Sequence, residues 1–244
     1  MSFPGVSWRL VAPVYDALAW TPHLDKGGQP PMTLLTEAEA SAYWNERHQR
    51  ESDLRAGGDI SFDEATNRMF YTRRLAMLME IVGMQTDPAN PLFLLDAGCG
   101  KGWFSRELAR FGHQVDGIDG SDAAIEQCRS LGGGPRFHQS TLSAWRSPWL
   151  YDVVFSVDVV FHILDDAEWE RSVRNLASLV RLRGKLIIAD WGEEGDRVYG
   201  NYQIVRGRQR YLPLLAECGL RFDDWRSYEF RRSPIGLYTF TRTS

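Results

Sequence analysis

The chain of 244 residues is long enough for one α/β domain with a substantial extra segment and too short for two domains of ordinary size. With 43% apolar and 25% charged residues it predicts a packed core and excludes a disordered chain. A formal net charge of −4 argues against a nucleic-acid partner, whose phosphates normally call for a basic excess.

Residues 1–35 combine five prolines with Phe3, Trp8, Tyr15 and Trp20, too aromatic for a loose tail and too broken for a long helix, so an arm docked on the body or on a neighbouring subunit is expected. The same stretch offers no uninterrupted apolar core for a signal peptide, and no run of about 18 apolar residues occurs anywhere. A cytoplasmic protein without a membrane partner is the expectation. Cys99, Cys128 and Cys218 are widely spaced and lack a C-x-x-C pair, which predicts neither a disulfide framework nor a zinc site.

Thr36-Glu37-Ala38-Glu39 is a capping box that opens a helix through Ala40, Tyr43, Trp44 and His48, stopped by Gly57-Gly58. Ser61-Phe62-Asp63-Glu64 reads as a second capping box, for a helix running through Met69, Leu75, Leu78 and Met79 to Gly83. Residues 1–90 are therefore expected to form an arm and helical lid ahead of a domain at 91–244. From Phe93 strands near 93–96, 114–119, 136–138, 152–156 and 185–190 alternate with helices near 103–110, 122–131, 166–181 and 207–218. That alternation calls for a parallel sheet covered on both faces, an α/β doubly wound fold. Arg221–Phe230 and Gly236–Arg242 alternate without a helix between them and predict a closing hairpin.

The chemistry is concentrated where the first strand ends, in Asp96-Ala97-Gly98-Cys99-Gly100-Lys101-Gly102. Glycines permit a tight turn with bare backbone, and the helix that follows presents unpaired N–H groups and a positive dipole end. A dinucleotide site needs G-x-G-x-x-G, but the third position counted from Gly98 is Trp103. A P-loop fails as well, since it needs four residues between its glycines and Ser or Thr after the lysine. Lys101 is accordingly expected to point to solvent. A second strand ends in Asp119, the position at which folds of this kind hold a ribose through its hydroxyls.

The pattern Asp96-x-Gly98-x-Gly100-x-Gly102 resembles the first motif of the class I S-adenosylmethionine-dependent methyltransferases of small-molecule type. Tyr151–Ile163 and Arg183–Asp190 resemble the family's fourth and fifth strands. The resemblance implies a seven-stranded sheet with one antiparallel strand, S-adenosylmethionine as cofactor and no metal. It implies that Gly98, Gly100 and Gly102 carry the methionine part, with Asp96 near its amino group, and that Trp103, Asp119, Gly120 and Ser156 belong to the same site. Relatives often have an acid after the third strand to accept from the adenine amine. Thr141 stands there, leaving the Leu142 backbone as the expected contact.

His162, just past the fourth strand, is at the edge where open α/β sheets place ligands, and a neutral imidazole suits a hydroxyl about to be methylated. It reads either as the general base or as a residue that orders the loop. Asp158 orients it, contacts the acceptor or caps the loop. Tyr43 and Trp44 resemble the helix that closes over the cofactor in small-molecule members, where a ring can face the sulfonium. Trp191 after the fifth strand is a further acceptor-side candidate, as are Arg206 and Arg210 should the cluster Arg206, Arg208, Arg210 face the site rather than solvent. The remaining histidines show no metal-ligand spacing. The resulting expectation is O-methylation of a small molecule, in secondary metabolism or sugar modification, by a monomer or homodimer. N-, C- or carboxyl-methylation, or a cofactor-binding protein that has lost the chemistry, remain as alternatives.

Overall fold

The computed structural model describes residues 33–83, 89–231 and 233–244. The arm expected at the amino terminus lies, up to residue 32, outside the described residues. Three helices come first: α1 (Glu37–Arg50), α2 (Asp53–Gly57) and α3 (Glu64–Val82). Then β1 (Phe93–Ala97), α4 (Trp103–Arg110), β2 (Gln114–Asp119), α5 (Asp122–Leu131), β3 (Arg136–Gln139), β4 (Tyr151–Ser156), α6 (Asp166–Ser178) and β5 (Val180–Trp191) follow. A short hairpin of β6 (Arg197–Tyr199) and β7 (Gln203–Val205) precedes α7 (Arg208–Glu217), β8 (Leu220–Ser227) and β9 (Ile235–Arg242).

The main sheet has seven strands in the order β3-β2-β1-β4-β5-β9-β8. Strands β1 to β5 pair in parallel, while β9 lies antiparallel between β5 and β8. The order reverses at β1 and β4, which makes their carboxyl ends the topological switch point where ligands bind in such sheets. The apolar runs are continuous because both faces of the sheet are covered. Leu94 packs in one core with Met77, Leu78, Phe104 and Leu108, and Leu95 in the other with Trp169, Val173, Tyr211 and Leu215. Each such leucine, removed from water, contributes roughly 1.5–3 kcal/mol.

The amino-terminal region departs from the sequence expectation in detail. The first capping box is present, with Thr36 and Glu39 satisfying each other, but α1 ends at Arg50 rather than at the glycine pair. Glu51 turns to extended backbone, and its carbonyl accepts from Lys101 Nζ at 2.8 Å. Lys101 is thus buried and tied to the turn after α1, not directed to solvent. Ser61 does not cap α3. Its hydroxyl turns to Asp59, and Asp63 is the N-cap, accepting from the Thr66 amide at 2.7 Å. A β6–β7 hairpin had no counterpart in the sequence reading, because three-residue strands are too short to show a period.

Candidate active site

A cavity of about 250 Å³ opens along the carboxyl edge of β3, β2, β1 and β4. Its floor is the glycine turn. Gly98, Gly100 and Gly102 all have positive φ, at 86°, 51° and 73°, which side chains rarely tolerate. The turn is strapped to β2 by the amides of Gly98 and Cys99, which share the Ile118 carbonyl at 2.8 and 2.9 Å. A Cβ at Gly98 would lie 2.4 Å from Val159, and one at Gly102 would lie 2.7 Å from Phe137. The missing side chains therefore make room for the protein's own packing as well as for a ligand.

Asp119 borders the cavity with its carboxylate fixed by main-chain donors: Gly100 at 2.8 Å on one oxygen, Ser121 at 2.9 Å on the other. Each oxygen keeps a lone pair for a ligand hydroxyl. Gly120, Thr141, Leu142 and Trp103 also line the cavity. Helix α1 lies against this wall: Asn45 Oδ1 accepts from Ser121 Oγ at 2.8 Å and from the Ala123 amide at 3.2 Å, at the start of α5. Trp44 and His48 of the same helix line the cavity, whereas Tyr43 stands behind Trp44 with ring centroids 5.3 Å apart.

His162 comes from the short 3-10 turn Val160–His162 after β4. Its Nδ1 is 3.1 Å from the Tyr202 carbonyl oxygen. Only an Nδ1–H can donate there, so Nε2 is the acceptor. Burial pushes its pKa down to about 3, the carbonyl bond only partly offsetting it, and the ring is neutral at any physiological pH. Trp44 meets it edge-on at 4.5 Å.

Asp158 also borders the cavity, in left-handed backbone at φ 58°. Arg74 pairs with it from α3, and Tyr228 OH donates to its other oxygen at 2.8 Å. Asp158 does not touch His162 through any such bond. It is held by the Arg74 guanidinium instead.

Several residues expected in the site lie elsewhere. Asp96 is 2% exposed and accepts from Ser105 Oγ at 2.6 Å behind the glycine turn, off the cavity wall. Burial raises its pKa to about 7 despite that bond. Ser156 is fully buried and donates to the Ala97 carbonyl at 2.8 Å, tying β4 to β1. Trp191 is buried against Tyr199 at 4.2 Å, supporting the small hairpin.

The arginine cluster is neither a solvated face nor a site mouth. Arg206 is 0% exposed, donating to the carbonyls of Ile163 and Ile204 at 2.6 and 3.0 Å and to Asp166 at 2.9 Å. Arg210 is shared between Asp166 at 3.0 Å and Asp196 at 2.7 Å. Arg206 ties the end of β7 to the carbonyl that follows His162 and to the start of α6, and Arg210 ties α7 to Asp166 and Asp196, so both have their donors committed within the fold.

Two wall residues were missed. Arg74 sits at i+4 from Phe70 and i−4 from Leu78, a cation inside an apolar helical stripe, and that spacing was the available signal. His48 is 5% exposed, its Nδ1 has no partner, and its Nε2 faces Gly100. Among the described residues, no group of three His, Cys, Asp or Glu side chains is arranged to hold a metal ion, and no helix is long and apolar enough to cross a membrane.

The doubly wound sheet with one antiparallel strand, and the glycine turn at its switch point, define a methyltransferase fold of the class I type. Residues 94–184 match the family model of the methyltransferase domain. A ubiquinone biosynthesis O-methyltransferase from Caulobacter sp. (strain K31) is 32% identical over 131 residues, 50% of this chain and 50% of that protein. The chain spans about half the length of the curated relatives it matches. Magnesium protoporphyrin IX methyltransferase from Synechocystis PCC 6803, solved with bound S-adenosylmethionine, superposes with a TM-score of 0.61 at 21% identity, over 83% of this chain and 95% of that one. The 1,6-didemethyltoxoflavin-N1-methyltransferase of Burkholderia thailandensis gives a TM-score of 0.61 at 18% identity, over 89% and 93% of the two chains.

Proposed function

We propose that this chain binds S-adenosylmethionine and transfers its methyl group to a hydroxyl oxygen of a small aromatic acceptor. The cavity fits the cofactor in chemistry and order. Thr141 and Leu142 follow β3, Asp119 ends β2 and the glycine turn follows β1, so a base, a ribose and an amino-acid end would lie side by side along one sheet edge. The positive-φ glycine turn offers bare backbone, and Asp119 keeps a lone pair on each carboxylate oxygen beside it, as a polar ligand with hydroxyls requires. When bound, the cofactor supplies an electrophilic methyl on a sulfonium.

The observation that carries the oxygen reading is the contact of His162 Nδ1 with the Tyr202 carbonyl, which leaves Nε2 as the acceptor of a ring that lines the cavity. A hydroxyl must lose its proton as its oxygen is alkylated, and that proton grows far more acidic as the new C–O bond forms. A weak base therefore suffices if it is placed to receive the proton late. His162 orients the hydroxyl and takes its proton, while Trp44, Tyr71, Trp103 and Phe104 offer aromatic walls and exclude water. The relatives' names lie in ubiquinone biosynthesis and support an aromatic hydroxyl over a sugar. The helical segment before residue 91 serves as a lid in this reading, with α1 as its moving part. Incubation with S-adenosylmethionine and a panel of catechols, aryl amines and aryl carboxylates, read by mass spectrometry, tests it. Methylation confined to amines or carboxylates, or absence of calorimetric binding of S-adenosylhomocysteine, would overturn it.

A further inference from the structure

Tyr43 belongs to α1 but stands off the cavity wall, and the proposed transfer does not use it. Its place is in a closed circuit of four rings. Tyr43 lies 5.3 Å from Trp44 with planes at 78° and 6.4 Å from Tyr202 with planes at 38°. Those two rings flank His162, Trp44 edge-on at 4.5 Å and Tyr202 stacked at 5.8 Å. Aromatic pairs attract at such tilted and offset geometries, so Tyr43 bridges the two rings between which the imidazole sits.

The turn that carries Tyr202 joins two strands of three residues each, and so short a hairpin is marginal unless something packs on it. Arg206 secures its base by donating to the Ile204 and Ile163 carbonyls. Its tip is tied to the segment that enters α1, where the Leu35 amide donates to the Asn201 carbonyl at 2.9 Å. The next carbonyl along, that of Tyr202, is the one 3.1 Å from His162 Nδ1. A displacement of the tip by about 1 Å would break that bond. A histidine without this acceptor can carry its proton on Nε2, which then donates and no longer accepts. Resting on the reading of His162 as the base, we propose that Tyr43 is a positioning residue which, with the Leu35–Asn201 bond, holds the β6–β7 turn so that His162 keeps its proton on Nδ1. Seating of α1 and readiness of the base are thereby one event.

The test reads the tautomer directly, by nitrogen NMR of the full chain labelled at its five histidines, with the His162 signals identified by their loss in His162→Asn. The native protein should show His162 protonated on Nδ1 alone. Tyr43→Ala removes the bridging ring, and Leu35→Pro removes the amide donor from outside α1, which covers the case in which the first variant fails to fold. Each should bring in signal from the Nε2-protonated form and slow single-turnover transfer about three- to tenfold, the order of one aromatic contact, with S-adenosylhomocysteine affinity unchanged. Tyr43→Phe keeps the ring and should restore both readouts. A native His162 protonated on Nε2, or folded variants that keep Nδ1 protonation pure, would overturn the proposal. A shifted tautomer with undiminished transfer would leave the positioning in place and remove the base role of His162 instead.

Discussion

His162 Nδ1 lies 3.1 Å from the main-chain oxygen of Tyr202, and the two rings stack with centroids 5.8 Å apart and planes 14° from parallel. One bond thus fixes both the tautomer and the orientation of the imidazole, and it comes from the loop between β6 and β7. We predict that His162→Ala slows single-turnover transfer to a hydroxyl by about 10²-fold with cofactor affinity unchanged. This is the low end of general-base contributions, because the ring is a weak base. A loss under about threefold would reduce His162 to a spacer.

The same residue makes stability depend on pH. The ordinary histidine value of 6.5 is lowered to about 3 in the fold, so protonation favours the unfolded chain. Its contribution is present in full above about pH 6.5 and declines as pH falls toward 3. Burial of Asp96 and Asp190, each raised to about 7, acts in the opposite sense over part of that range. Denaturant melts of the native protein and His162→Asn at pH 7.5 and 5 separate the two. The variant should lose less stability on acidification, and parallel losses would refute the assignment.

Asp119→Ala should weaken S-adenosylhomocysteine binding about ten- to hundredfold, by calorimetry. It removes an acceptor for the ligand and the bond that holds the Gly100 amide at 2.8 Å. An unchanged dissociation constant would make it a turn acid alone.

Gly98→Ala should destabilise the fold by about 2–4 kcal/mol, read by chemical denaturation, combining positive-φ strain with overpacking against Val159. Adding Val159→Ala should return only the packing part. Full recovery in the double variant would show that the backbone angle costs nothing.

Arg206→Met should cost about 3 kcal/mol, since it removes a buried donor from the part-buried carbonyls of Ile163 and Ile204 at roughly 1–3 kcal/mol each. Asp166, which is largely exposed, adds little. A variant as stable as the native protein in urea, but with weakened acceptor binding, would restore Arg206 to the site.

The alternation of strand and helix from Phe93 onward, the closing hairpin and the resemblance to a methyltransferase domain were legible in the sequence. They rest on local signals: apolar runs bounded by glycine, caps such as Thr36, and the spacing of Gly98, Gly100 and Gly102. The same signals located Asp119, Thr141, Leu142, Asp158 and His162 at one edge, because in a parallel sheet every strand's carboxyl end falls on the same side. What a side chain does at that edge was decided by neighbours distant in sequence. Asp96 and Ser156 are satisfied by Ser105 and Ala97, Lys101 reaches back to Glu51, and Arg206 is consumed by carbonyls 42 to 43 residues away. Arg74 meets Asp158 across 84 residues. A periodic pattern reports which face of an element is buried, whereas the pairing of a buried charge depends on which elements the fold brings against it.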